Sequence, residues 1–114
     1  MVSLRSIWQQ GESLVKQWYL DHNYELLAVN RTIHGSEIDL IVQESQSLVF
    51  VEVKVVDAIE DTLEYISKAK CRALIRGIET YLMRYPNERE VRVDLVFVQQ
   101  GEILEVIEDV SLYD

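Results

Sequence analysis

Two carboxylates and a lysine on neighbouring apolar runs are the residues of this chain best suited to chemistry. The first run reads Ser36-Glu37-Ile38-Asp39-Leu40-Ile41-Val42, the second Ser47-Leu48-Val49-Phe50-Val51-Glu52-Val53-Lys54-Val55-Val56. Both have the composition of β-strands, whose successive side chains point to opposite faces. Val49, Val51, Val53 and Val55 then share one face, and Glu52 and Lys54 the other. If Gln43 pairs with Leu48 across a turn at Glu44-Ser45-Gln46-Ser47, Asp39 stands opposite Glu52 and Glu37 opposite Lys54. A one-residue slip would break both alignments. Like charges opposed on a sheet destabilise it. A divalent cation between the carboxylates removes that penalty, and an all-oxygen site suits Mg²⁺ or Mn²⁺. Such a cation polarises a phosphoryl oxygen and acidifies a bound water. A lysine beside it can orient or deprotonate the attacking water, or stabilise developing charge. The set is that of a hydrolytic site; the alternative is a salt-bridged strand face without chemistry.

These strands need a frame. Residues 4–22 predict a helix, with Leu4, Trp8, Gly11, Val15, Trp18 and Tyr19 on one side, Glu12 at the edge of that stripe, and Asn23 as its end. A first strand is expected at 24–33, followed by a turn at Gly35-Ser36 and the hairpin strands at 37–43 and 47–56. Residues 60–85 predict a second helix with an apolar stripe of Ile66, Ala73, Leu74, Ile78, Tyr81 and Tyr85. At about 100° per residue, Lys70 falls in the middle of that stripe, whereas Lys68, Arg72 and Arg76 point away from it. Tyr85-Pro86-Asn87 ends this helix. Two more strands follow at 91–98, which carries Asp94, and at 102–107, joined by Gln99-Gln100-Gly101. The order α-β-β-β-α-β-β implies an α/β fold with a mixed sheet flanked by helices.

Composition sets the bounds. The 114 residues suit one domain spanning 1–114, and 48% hydrophobic residues are enough for an ordinary core. Cys71 is the only cysteine, which excludes an internal disulfide and four-cysteine metal sites and fits a reducing cytoplasm. Ser3, Arg5, Ser6, Gln9 and Gln10 interrupt the N-terminal segment, so neither a signal peptide nor a membrane anchor is expected. The net charge of −9 opposes nucleic-acid binding, which needs lysine and arginine. The charge is uneven, however. Glu102, Glu105, Glu108, Asp109 and Asp114 crowd the last segment, and Lys68, Lys70, Arg72 and Arg76 form an acid-free basic stretch. That stretch is either a nucleic-acid patch or an ordinary solvated helix face. His22 and His34 are isolated, Cys71 has no histidine beside it, and the tryptophans and tyrosines read mostly as core. No glycine-rich phosphate loop is present.

Asp39 followed by Glu52-x-Lys54 on adjacent strands resembles the signature of the PD-(D/E)xK nuclease superfamily. The combination of Gly11-Glu12, Glu37-Ile38-Asp39-Leu40-Ile41, Leu48-Val49-Phe50-Val51-Glu52-Val53-Lys54, Ala69-Lys70 and Val93-Asp94-Leu95-Val96 resembles, more closely, the UPF0102 (YraN) family of small bacterial proteins, over roughly residues 9–109. The resemblance implies a restriction-endonuclease-like fold similar to that of archaeal Holliday-junction resolvases. It implies Asp39, Glu52 and the carbonyl of Val53 as ligands of Mg²⁺ or Mn²⁺, Lys54 acting on the water, and Glu12 approaching the metal from the first helix. Glu37 becomes a rim carboxylate. Lys70, with Lys68 and Arg72, becomes a nucleic-acid contact or a charge partner of the carboxylates. Ser36, in place of the family's usual glycine, and Val55-Val56, in place of Thr-Arg, depart from the pattern, as does the acidic charge. The expected function is metal-dependent hydrolysis of DNA phosphodiester bonds. A branched or processed substrate rests on fold analogy alone, and a homodimer is compatible with two-fold substrates. A non-cleaving binding or assembly module and an RNA-directed nuclease are the alternatives. Asp94 is read as structural, paired with a nearby base.

Overall fold

The structure, a computed structural model, describes residues 3–56 and 67–112. Helix α1 (Leu4–Asp21) is followed by β1 (Glu25–Ile33), β2 (Ser36–Gln43), β3 (Ser47–Val55), α2 (Lys68–Arg84), β4 (Glu90–Gln99) and β5 (Glu102–Ile107). The strands form one sheet in the order β1-β2-β3-β4-β5. Only β3 and β4 run parallel; the other neighbours are antiparallel. This is the α-β-β-β-α-β-β mixed sheet that the sequence predicts. No described helix is long and apolar enough to cross a membrane.

Local chemistry explains the boundaries. Ser3 caps α1 by accepting from the Ser6 N–H at 3.1 Å, and Asn23, in the left-handed region at φ 68°, stops it. Ser67 caps α2 by accepting from the Lys70 N–H. The helix therefore starts at Lys68, later than the expected 60; residues 57–66, including Ile66, lie outside the described residues. Tyr85, expected on the buried stripe, is instead the exposed cap residue. The β1–β2 turn is His34-Gly35, with φ 50° and 78°, and Ser36 belongs to the strand rather than to the turn. Gln100-Gly101, at φ 49° and 77°, repeats this geometry between β4 and β5. Two positive-φ residues in a two-residue hairpin match the right-handed twist of the strands.

The core has a layer on each side of the sheet. Val15 and Tyr19 of α1 pack on Leu40, Val42, Val49, Val51, Val96 and Val98. Leu74, Ile78 and Tyr81 of α2 pack on Ile33, Ile38, Ile41, Leu48, Phe50 and Val93. Alternation along β3 thus sends Val49 and Val51 toward α1, and Leu48 and Phe50 toward α2. Each such side chain contributes roughly 1.5–3 kcal/mol by leaving water. Gly11 brings α1 down onto the sheet: a Cβ there would stand 2.9 Å from a methyl of Val55.

One irregularity matters for chemistry. Ile38 and Leu40 would share a face in a regular strand, yet Ile38 lies on the α2 side and Leu40 on the α1 side. The alternation breaks at Asp39. Across the strand pair, Val29 faces Leu40 and Arg31 faces Ile38, and Asn30 between them has φ 49°. The twist takes the Asp39 side chain off both packed faces.

Candidate functional site

The hairpin register is the expected one: Gln43 faces Leu48, Val42 faces Val49, Ile41 faces Phe50 and Leu40 faces Val51. The turn is held by the Glu44 N–H donating to the Ser47 carbonyl and the Gln46 N–H donating to the Glu44 carboxylate. The ladder then stops. Where Asp39 and Glu52 would come next, the Val53 N–H donates instead to Asp39 Oδ2 at 2.7 Å. The strands part here, and the Asp39 carboxylate fills the gap in place of a main-chain acceptor. The expected pairing of Glu37 with Lys54 does not form. Glu37 pairs with Thr32 of β1 and stands exposed, because β2 beyond Asp39 follows β1 and not β3.

Titratable side chains from four elements converge on this opening. A cleft of about 610 Å³ is lined by Glu12 of α1, Glu37 and Asp39 of β2, Glu52, Val53 and Lys54 of β3, and Lys70 of α2, with Trp8 at its mouth. Glu52 is 8% exposed. Its Oε2 lies 3.7 Å from Lys70 Nζ, and its buried Oε1 has no hydrogen-bond partner. Burial first, and the charge of Asp39 second, push its carboxyl up to about 8 against the opposing pull of Lys70. Burial likewise raises the Asp39 carboxyl, which the Val53 N–H and Glu12 partly restrain. Glu12 is raised by burial and by the charges of Asp39 and Glu37, with Asn30 opposing. Three carboxyl groups are therefore held away from their charged forms, first by burial and, at Glu12 and Glu52, also by the charge of Asp39.

The donor set can be tested against a cation. A buried carboxylate oxygen without a partner costs a few kcal/mol unless something occupies it. Glu52 Oε1 beside Asp39 is such an oxygen, and the residues fit a hard cation with oxygen ligands. The fit is that of two carboxylates, Asp39 and Glu52. Among the described residues no three His, Cys, Asp or Glu side chains are grouped to hold a metal ion, so Glu12 stands beside the pair and does not complete a cage.

Lys70 reaches the site from α2, donating to the Glu37 carbonyl at 3.3 Å as well as facing Glu52. Its place within the helix stripe is thus explained by charge pairing. Lys68, Arg72 and Arg76 are exposed and line no part of the cleft. Trp8, expected in the core, is 58% exposed and lines the cleft instead. Asn30, which shapes the site from β1, is not singled out by the sequence pattern. An asparagine within a strand is the one signal available there, and its positive φ is what the structure adds. Asp94 lies outside the cleft, paired with Arg92 as expected.

Comparison with known proteins shows the family. The sequence model of the family described as "Uncharacterised protein family UPF0102" matches residues 11–98. A UPF0102 protein of Vibrio campbellii is 34% identical over 106 residues, 89% of this chain and 87% of its own. One from Vibrio parahaemolyticus is 33% identical over 105 residues, again 89% and 87%. Another, from Campylobacter fetus, is 26% identical over 102 residues and 90% of each chain. The matched span runs from Gly11, beside Glu12, through every cleft residue except Trp8.

Proposed function

The chain belongs to the UPF0102 family, and on that premise we propose that it is a metal-dependent endonuclease that hydrolyses DNA phosphodiester bonds. One observation carries the reading: the buried, unpartnered Glu52 Oε1 beside the Asp39 carboxylate, where β2 and β3 part. Asp39, Glu52 and the Val53 carbonyl would hold Mg²⁺ or Mn²⁺. When bound, the ion would supply Lewis-acid polarisation of the phosphoryl oxygen and a more acidic water.

The chain's own groups do the rest. The Val53 N–H commits one oxygen of the Asp39 carboxylate and fixes its orientation. Lys54, following Glu52 on the same strand face, would orient the attacking water or donate to the phosphoryl oxygen as charge grows there. Glu12 would steady Asp39 from α1. Lys70 faces Glu52 at 3.7 Å and would turn its ammonium to a phosphate oxygen on binding. Lys68 and Arg72, exposed on either side of Lys70 along α2, would touch flanking phosphates. Few phosphates would be neutralised, so binding would be weak with a shallow salt slope; a homodimer would double the basic surface. A protein acting on DNA in this way would work in the cytoplasm.

A second reading has a specific observation behind it. The net charge is −9, and the Lys70 ammonium already faces Glu52 and the Glu37 carbonyl. A module that keeps the cleft but binds a partner without cutting would look the same. The deciding experiment incubates supercoiled, linear and four-way-junction DNA, and a single-stranded RNA, with protein and Mg²⁺ or Mn²⁺. Cleavage of at least one DNA, lost in Glu52→Ala and in Lys54→Ala while both remain folded, supports the nuclease. Cleavage of RNA alone moves the substrate class, and activity surviving both substitutions marks a contaminant. Wild-type protein that cuts nothing favours the module.

A further inference from the structure

Trp8 is the outlier of the molecule's aromatic residues. Tyr19 is fully buried. Trp18 is half-buried, stacks on His22 with ring centroids 3.9 Å apart, and meets Tyr19 edge-on at 4.9 Å. Tyr81 and Tyr85 pack together beneath Arg31. Trp8 alone among the large aromatics on α1 leaves more than half its surface in water, at 58%. It does so at the mouth of the carboxylate cleft, one helical turn before Glu12 and on the same side of α1. Exposed indole is costly, and Gly11, three residues on, shows that this helix can sit close to the sheet.

From this placement we infer that Trp8 is a stacking platform for an unpaired base next to the scissile phosphate, and that the substrate presents single-stranded nucleotides. The inference rests on the reading of the cleft as a phosphodiester site and narrows its substrate class. Every base inside a duplex has both faces covered by its neighbours. An aromatic side chain can stack only on a base that has lost one, as in a single strand, a flap or an opened junction. The cleft offers the remaining requirements side by side: Lys54 and Lys70 for the phosphate, and an apolar ring for the base it carries. A polyanion held by so few cations gains most from a contact that does not depend on charge.

The test uses the full chain in Ca²⁺ at low salt, with a short single-stranded oligonucleotide and a blunt duplex of the same sequence. In a Trp18→Phe background Trp8 is the sole indole. Its fluorescence is expected to quench as the single strand is added and to change little with the duplex. Trp8→Ala should weaken single-strand binding by on the order of tenfold, Trp8→Phe should restore most of it, and duplex binding should not move. Equal weakening of both ligands, or no weakening at all, overturns the inference while leaving the nuclease reading intact. So does a Trp8→Ala protein whose only change is a lower oligomeric state, which would make Trp8 a protein contact. Wild type that binds neither nucleic acid overturns both readings.

Discussion

Two carboxylates buried on adjacent parallel strands are treated in opposite ways. Asp94 of β4 is 0% exposed and surrounded by donors. Arg92 Nε and Nη2 reach its two oxygens at 2.8 and 2.9 Å, the Tyr19 hydroxyl donates at 2.6 Å, and the Asp109 N–H at 3.1 Å. Arg92 in turn donates to the Tyr24 hydroxyl and stacks on its ring. Glu52 of β3 follows Val51, the residue that faces Asp94 across the ladder. It has one lysine at 3.7 Å and a bare oxygen. Both sites lie in the same sheet, so the contrast is one of supply. Asp94 ties α1, β4 and the segment after β5 into one piece. Glu52 is left short of partners at the place where the hairpin strands part, as expected of a group whose partner arrives from outside.

The largest expected effect separates the two directly. Asp94→Ala takes the counter-charge from the half-buried Arg92 guanidinium and leaves the buried Tyr19 hydroxyl without its acceptor, and should cost about 3–5 kcal/mol, a fall in melting temperature of roughly 10 °C or more. Glu52→Gln without divalent ions should cost far less, or stabilise, because a neutral amide suits a site where burial disfavours the charged carboxylate. Thermal unfolding of the two variants side by side measures this. Equal losses would mean that Glu52 is as structural as Asp94.

The next effect is the pH dependence of the metal-free protein. The Glu52 carboxyl is raised from 4.5 to about 8 in the fold, so between those values the native state holds a proton that the unfolded chain has released. Its stabilising contribution is complete below about pH 4.5 and is lost as pH rises through about 8. Asp39 and Glu12 are shifted in the same direction. Chemical denaturation in chelator should therefore show stability falling across this window, by up to about 1.4 kcal/mol per pH unit. Glu52→Gln should flatten the curve, and a wild-type curve already flat would show that Glu52 is ionised and satisfied.

The contrast also explains what the sequence can and cannot reveal. The Gln43–Leu48 register follows from a four-residue turn between two apolar runs, and that register alone brings Asp39 near Glu52. Alternation assigns Val49, Val51 and Val53 to one face because a period of two is rigid. What alternation cannot foresee is its own interruption. The break at Asp39 needs Asn30 in the left-handed region across the ladder, a tertiary arrangement that also moves Glu37 away from Lys54. Trp8 departs from its expected place for a related reason: helical spacing gives a stripe, but the strands decide how far along the helix that stripe is covered. Lys70 is legible because a lysine within an apolar stripe demands a partner, and Asp94 because a carboxylate inside an apolar strand does.

A third, smaller effect tests whether a cation fills the deficit. Binding to the native state alone stabilises by about 2.7 kcal/mol at a hundred times the dissociation constant. Excess Mn²⁺ should raise the melting temperature of the wild type, and should remove the pH dependence described above by keeping Glu52 ionised. Asp39→Asn should lose the response, and Asp94→Asn, though less stable, should keep it. An equal response in wild type and Asp39→Asn would place the ion elsewhere.

The smallest effect concerns Lys70, the one charge that already partly supplies Glu52. The pair is 3.7 Å long and the lysine side chain 39% exposed, so its own worth is below about 1 kcal/mol. Removing it with Lys70→Met should barely change the melting temperature, but it leaves Asp39 and Glu52 facing each other without a counter-charge. If lysine and metal compete for the same carboxylate, Mn²⁺ affinity measured by calorimetry should rise by roughly two- to fivefold. Affinity for a labelled junction in Ca²⁺ should fall, because the ammonium released by the metal is the one that would turn to a phosphate. The two measurements move in opposite directions only if Lys70 passes from the carboxylate to the substrate. A drop in both would make Lys70 a positioning residue for the metal ligands. No change in either would leave it an ordinary surface lysine, and the supply of Glu52 would then rest on the cation alone.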